Sequence, residues 1–109
     1  KWQISKLTAE DSAEIIKKYK IPSLKIKPFK KRNIDLGNFN FKIIDAPGHS
    51  DDSIILYDKD KKILISGDVL YHGKILANFI NSNIDDYRRT LESIKKLNFD
   101  IVLPGHNDI

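Results

Sequence analysis

The sequence predicts an α/β fold built on about one mixed sheet with covering helices. Three observations point to it. Short apolar or alternating runs at 34–36, 39–45, 53–57, 62–66 and 100–103 read as strands. An amphipathic stretch at 83–97 reads as a helix between the last two of them. The chain has 109 residues, 40% of them hydrophobic, which suits one small packed domain and not two.

The elements follow in order. Thr8 to Tyr19 is a helix: Thr8 is an N-cap residue, Asp11 stands at capping-box spacing, and Ala9, Ala13 and Ile16 share one face. Lys17, Lys18 and Lys20 suit its C-terminal end, and Pro22 stops it. Leu24 and Ile26 alternate with Lys25 and Lys27 as a short, half-exposed edge strand closed by Pro28. Ile34 to Leu36 runs into a turn at Gly37-Asn38. Phe39, Phe41 and Ile43 alternate with polar residues along a strand that continues to Asp45. Ser53–Tyr57 and Lys62–Ser66 flank the polar turn Asp58–Lys61 and form a hairpin. In the second helix, Asn83 to Leu97, the residues Ile84, Tyr87, Leu91, Ile94 and Leu97 fall on one stripe, and Asp85 and Asp86 favour its N-terminus. Asp100–Leu103 is a final buried strand, ended by Pro104. Residues 71–82 show no periodicity.

Composition excludes several classes. With zero cysteines there is no disulfide, no thiolate zinc site and no cysteine nucleophile. No apolar run approaches the roughly 18 residues of a membrane span. The opening Lys1-Trp2-Gln3-Ile4 is not a secretory signal. The expectation is therefore a cytoplasmic protein without a membrane partner. The net charge of +4 is unevenly spread. Residues 1–42 carry eleven Lys/Arg against four acids, and residues 43–109 carry eight against eleven. The basic third reads first as a lysine-rich solubilising surface, because only three of the nineteen cations are Arg, the better phosphate fork. Nucleic acid is the alternative partner for it. Trp2, Tyr19 and Phe29 are not interleaved with the cations as a stacking platform requires.

The chemistry lies at strand ends. Ile43-Ile44-Asp45-Ala46 runs into Pro47-Gly48-His49, and Ile101-Val102-Leu103 runs into Pro104-Gly105-His106. In each, an apolar strand stops at proline, glycine permits an unusual turn, and an imidazole follows. Ile63-Leu64-Ile65-Ser66-Gly67-Asp68 repeats the pattern with a carboxylate. Either Pro-Gly-His alone can be a plain turn, and an Asp after Gly can cap one. The three together, at spacings of nineteen and thirty-eight residues, read as a nitrogen/oxygen metal site assembled from separate strands. Such donors suit zinc, and also iron or manganese.

The order Ala46-Pro47-Gly48-His49-Ser50-Asp51-Asp52-Ser53-Ile54, Ser66-Gly67-Asp68-Val69-Leu70 and Leu103-Pro104-Gly105-His106-Asn107 resembles the second half of the metallo-β-lactamase fold superfamily of hydrolases. The resemblance is clear over residues 34–109 and loose over 1–33. It implies a partial four-layer αββα sandwich, with one zinc ion or two in the complete protein. His49 then corresponds to a histidine on the first metal, Asp68 to the carboxylate bridging both, and His106 to a histidine on the second. Such sites polarise a bound water into the hydroxide that attacks an ester, thioester, lactone, lactam or phosphodiester of a small-molecule substrate. No protein base is assigned, and Asp68 is the candidate orienter of that water. Tyr71 and His72 follow Asp68 where relatives place site-lining residues, although His72 also reads as a surface-loop histidine. Asp51 and Asp52 either orient His49 from behind or cap the strand at Ser53. Ser50 and Ser53 read as turn residues.

The upstream His-x-His-x-Asp-His motif of the superfamily has no counterpart, because no histidine precedes His49. Neither pair of donors reaches the protein ligand set of a catalytic zinc. With Lys1 in place of Met, the expectation is the C-terminal portion of a single larger domain, inactive alone. A natural half-domain is the other explanation. Half a sandwich exposes an apolar sheet face, so the expected partner is the other half or a second copy, by dimerisation or domain swapping. A non-catalytic binding module built on the basic N-terminal third is the functional alternative.

Overall fold

The computed structural model describes residues 14, 17–20, 28–75 and 77–107. The chain divides into two compact units, residues 1–30 and 31–109. In the first unit Glu14, Lys17 and Lys18 are helical and exposed. Lys20, at φ 51°, adopts the left-handed conformation that ends a helix, as expected for the stretch reaching Tyr19. The start of that helix and the strand at Leu24–Ile26 lie outside the described residues.

The second unit holds a five-stranded sheet in the order β1 (Asn33–Asp35), β2 (Asn40–Asp45), β3 (Ile54–Asp58), β4 (Ile63–Gly67) and β5 (Ile101–Pro104). The first four strands form an antiparallel meander. Helix α1 (Ile84–Lys95) then carries the chain back so that β5 lies parallel to β4. The sheet is therefore mixed, as a crossover helix requires. Leu36 falls outside β1 and is exposed, because the turn begins there. The Leu36 amide donates to the Phe39 carbonyl at 2.8 Å, and the Gly37 amide to Asp35 Oδ1 at 2.9 Å. Gly37 sits at φ 82°, which glycine adopts without a Cβ penalty. In the β3–β4 turn the Asp58 carboxylate accepts from the Asp60 and Lys61 amides, each at 3.0 Å.

Strand pairing assigns the faces. Ile44, Ile55, Tyr57, Leu64 and Val102 share one face. Ile34, Phe41, Ile43, Leu56, Ile65 and Leu103 share the other. The first face forms a core in which Ala46, Ile55, Tyr57, Leu64 and Val69 pack with Tyr87 and Ile94 of α1. On the second face Phe41 and Ile43 are buried, while Ile54 and Ile101 remain 47% and 45% exposed.

The helix starts as its sequence asks. Asn83 is the N-cap, its side chain accepting from the Asp86 amide at 2.9 Å, with Asp85 and Asp86 in the first turn. Two expectations need correction. The last strand is not buried: Ile101 is exposed and Val102 and Leu103 are only half-buried, because β5 is an edge strand of the sheet among the described residues. Ile84 does not join the buried stripe and is 65% exposed. The buried arc centres on Tyr87, Thr90 and Ile94, and Ile84 lies close to a quarter turn away from it. Thr90 is buried instead because its hydroxyl has a partner, the Pro47 carbonyl at 2.6 Å. Among the described residues no helix is long and apolar enough to cross a membrane.

Candidate functional site

The topology explains why three distant motifs meet. β2 is antiparallel to β3, and β3 is antiparallel to β4, so β2 and β4 point the same way. β5 is parallel to β4. The segments that follow β2, β4 and β5 therefore emerge at one sheet edge. They carry His49, Asp68 and His106. Carboxyl ends of strands in α/β sheets are a common place for ligands, because loops there converge over a rigid support.

At that edge Asp68 lies between the two histidines. Its Oδ2 is 3.7 Å from His49 Nε2, and its Oδ1 is 3.1 Å from His106 Nε2. The imidazoles are largely buried, at 18% and 25% side-chain exposure, while the carboxylate is half exposed at 51%. Two largely buried imidazoles thus face a carboxylate that is open to solvent. Among the described residues no group of three or more His, Asp or Glu side chains forms a ready-made metal site. Each imidazole instead meets its own carboxylate oxygen.

The imidazoles are held partly by ring contacts. The Tyr71 ring, itself buried, lies 4.3 Å from the His106 ring at a tilt of 50°. A metal-binding imidazole is usually steered by a hydrogen bond at its second nitrogen. Here His106 Nδ1 is buried and has no hydrogen-bond partner among the described residues, so the Tyr71 ring and the Asp68 carboxylate at Nε2 are the contacts that orient the imidazole. Phe79 meets the His49 ring edge-on at 5.1 Å and 72°.

The other expected site residues are more peripheral. His72 is exposed, and it is the carbonyl rather than the ring that is used, accepting from Asn107 Nδ2 at 2.9 Å. Asp51 and Asp52 are exposed, and Asp52 accepts from the Ser50 hydroxyl at 2.8 Å. Ser50 and Ser53 are turn residues as expected, with their hydroxyls 2.7 Å apart. Most of the basic N-terminal third lies outside the described residues. Arg32, at its described end, pairs with Asp45 at 3.0 Å on the surface.

Four side chains that sequence reasoning gave no site role hold the loops. Ser82 donates to the His49 carbonyl at 2.6 Å, and Thr90 to the Pro47 carbonyl at 2.6 Å. The Tyr87 hydroxyl donates to the carbonyls of Val69 at 2.5 Å and Asp68 at 3.3 Å. Burial pushes that phenol up to about 12, so it stays a donor throughout the physiological range. Phe79 is the fourth. It lies in the segment without periodicity, where nothing in the sequence marks it.

The family profile described as the metallo-beta-lactamase superfamily matches residues 4–106. The chain belongs to the metallo-beta-lactamase superfamily. Among its relatives in the superfamily is the acyl-coenzyme A thioesterase MBLAC2 of Homo sapiens, 43% identical over 77 residues, covering 67% of this chain and 28% of that protein. Hydroxyacylglutathione hydrolase GloC of Haemophilus influenzae is 35% identical over 78 residues, covering 67% of this chain and 36% of that protein. The chain thus spans about a third or less of the length of these curated relatives. Among solved structures, TTHA1623 in a di-iron-bound form superposes with a TM-score of 0.64 and 25% identity, covering 80% of this chain and 43% of that one. The mixed sheet with its crossover helix is thus a partial metallo-beta-lactamase domain.

Proposed function

We propose that this chain carries part of the metal centre of a metal-dependent hydrolase, with His49, Asp68 and His106 as metal ligands. One observation supports the assignment above all: the Asp68 carboxylate offers a separate oxygen to each imidazole, at 3.7 and 3.1 Å. Two donors on one ion, each about 2.1 Å from it, lie about 3.0–3.4 Å apart for square to tetrahedral angles. The His106–Asp68 pair fits that separation, and the His49–Asp68 pair is slightly wider. His49, Asp68 and His106 are thus the residues that would hold the metal, with Asp68 between the two imidazoles.

This nitrogen/oxygen donor set accepts zinc, iron or manganese. When bound, such an ion supplies Lewis acidity to a water and to a substrate carbonyl. The chain's own contribution is positional. Tyr71 fixes the plane of His106, Phe79 packs on His49, and Asp68 keeps its carboxylate toward solvent, where substrate arrives. The substrate class we assign is an acyl thioester, supported by the acyl-coenzyme A thioesterase among the relatives.

Titration with zinc or cobalt(II) against a competing chelator tests the reading. Binding is expected for the unmodified protein and a loss of ten-fold or more for Asp68→Asn, His49→Ala and His106→Ala. Equal affinity in all four proteins, or no binding in any, overturns it.

A further inference from the structure

The backbone around His49 is held at consecutive carbonyls. Pro47 accepts from the Thr90 hydroxyl at 2.6 Å, Gly48 from the Asn83 amide at 2.8 Å, and His49 from the Ser82 hydroxyl at 2.6 Å. All three donors lie on α1 or in the residues leading into it. The same helix reaches the second loop, where the Tyr87 hydroxyl donates to the carbonyls of Asp68 and Val69 at 3.3 and 2.5 Å. The approach is close, since a Cβ on Gly48 would lie 2.4 Å from the Tyr87 Cα. A 12-residue helix is stiff on the scale of these loops. Two loops bound to neighbouring turns of one helix cannot move independently.

We propose that α1 is a splint that sets the distance between His49 and Asp68, with Tyr87 and Thr90 as its positioning residues. Tyr87 acts mainly through the Val69 carbonyl, with the Asp68 carbonyl as the longer arm of the same donor, and Thr90 acts through the Pro47 carbonyl. Neither side chain is a ligand. The proposal rests on the metal-centre reading above, since the spacing matters only if both side chains serve a common centre.

A control exists within the same core. The buried Tyr57 donates its hydroxyl to the Asn98 carbonyl at 2.8 Å, on a loop that carries none of the three site residues. Tyr57→Phe and Tyr87→Phe each remove one hydroxyl with a backbone partner. The experiment measures cobalt(II) affinity, the visible ligand-field spectrum of the cobalt form, and the thermal midpoint without metal. Both variants are expected to lower the midpoint. Tyr87→Phe is expected to weaken cobalt binding about tenfold and to change the spectrum, while Tyr57→Phe leaves both as they were. Thr90→Val should behave like Tyr87→Phe, and Thr90→Ser, which keeps the hydroxyl, should restore affinity and spectrum. The Thr90 pair decides the matter if Tyr87→Phe does not fold. Unchanged cobalt binding in Tyr87→Phe and Thr90→Val overturns the splint and leaves the metal-centre reading standing. So does an equal loss in Tyr57→Phe. Failure of the unmodified protein to bind cobalt overturns both.

Discussion

The Gly105 amide donates a 2.8 Å hydrogen bond to the Gly67 carbonyl, so the residues just before His106 and just before Asp68 meet backbone to backbone. The β4–β5 register slips at this point, and Gly67 lies in the left-handed region at φ 52°. A Cβ on Gly105 would stand 3.2–3.3 Å from the Gly67 backbone. The absence of that methyl is what lets the two strand ends present their side chains to each other at 3.1 Å. Gly105→Ala forces backbone, not a side-chain tip, to give way. A loss of about 1 kcal/mol in urea unfolding is expected, with about a tenfold fall in cobalt(II) affinity. Unaltered affinity would show that the two turns do not set the His106–Asp68 spacing.

Gly48→Ala is the harsher change. The new Cβ would lie 2.4–2.7 Å from Tyr87 Cα, Cβ and N, and the residue holds φ 142°. Helix backbone cannot yield as a side-chain end can, so roughly 3 kcal/mol or more should be lost. Urea denaturation followed by circular dichroism measures it, and an unchanged midpoint would contradict the contact.

Asp58 links the β3–β4 turn to the start of β2. Its carboxylate accepts from the amides of Asn40, Asp60 and Lys61, and the Lys61 bond leads the causes that hold it below the usual carboxylate range. A depressed folded pKa stabilises at pH above the unfolded value of about 3.9, and that contribution disappears as pH falls through the folded value. Asp58→Asn is therefore expected to be less stable than the parent at neutral pH, with the gap closing below about pH 4. Acid titrations of the two proteins by circular dichroism should converge at low pH. Parallel curves would exclude the linkage.

Asn83 serves α1 twice, through its side chain to the Asp86 amide and through its own amide to the Gly48 carbonyl. Only the first bond depends on the side chain. Asn83→Ala should cost about 1 kcal/mol, and Asn83→Ser should recover most of it. Thermal melts of the three proteins give the ranking directly.

Leu64 is fully buried between the sheet and α1. Leu64→Ala removes that contact and leaves a cavity, for an expected loss of about 2–5 kcal/mol. The same substitution at exposed Leu36 should be nearly silent, because the side chain is 64% exposed in a turn. Equal losses at the two positions would refute the assignment of the core.

What the sequence makes legible is periodic or punctuated. The hairpin around Asp58, the helix capped by Asn83 and the three strands that end in glycine turns all carry local signals. His49, Asp68 and His106 follow from those turns, and their convergence follows from three strands pointing one way. The rest depends on long-range hydrogen bonds to backbone carbonyls, which leave no spacing signature. Ser82, Tyr87 and Thr90 could each be read as ordinary cap, core or surface residues. A stripe drawn through apolar residues misplaces Ile84, because it ignores a buried threonine with a partner for its hydroxyl.

The contact between Gly48 and Tyr87 bears on how this edge can change in evolution or in the laboratory. The turn before His49 and the helix beneath it fit as two backbones, with no side chain between them to absorb a mismatch. A chimera that imports one without the other inherits a gap or a collision. The unit that can be transplanted is the pair, residues 46–53 together with 82–95, because a change in either backbone is met directly by the other.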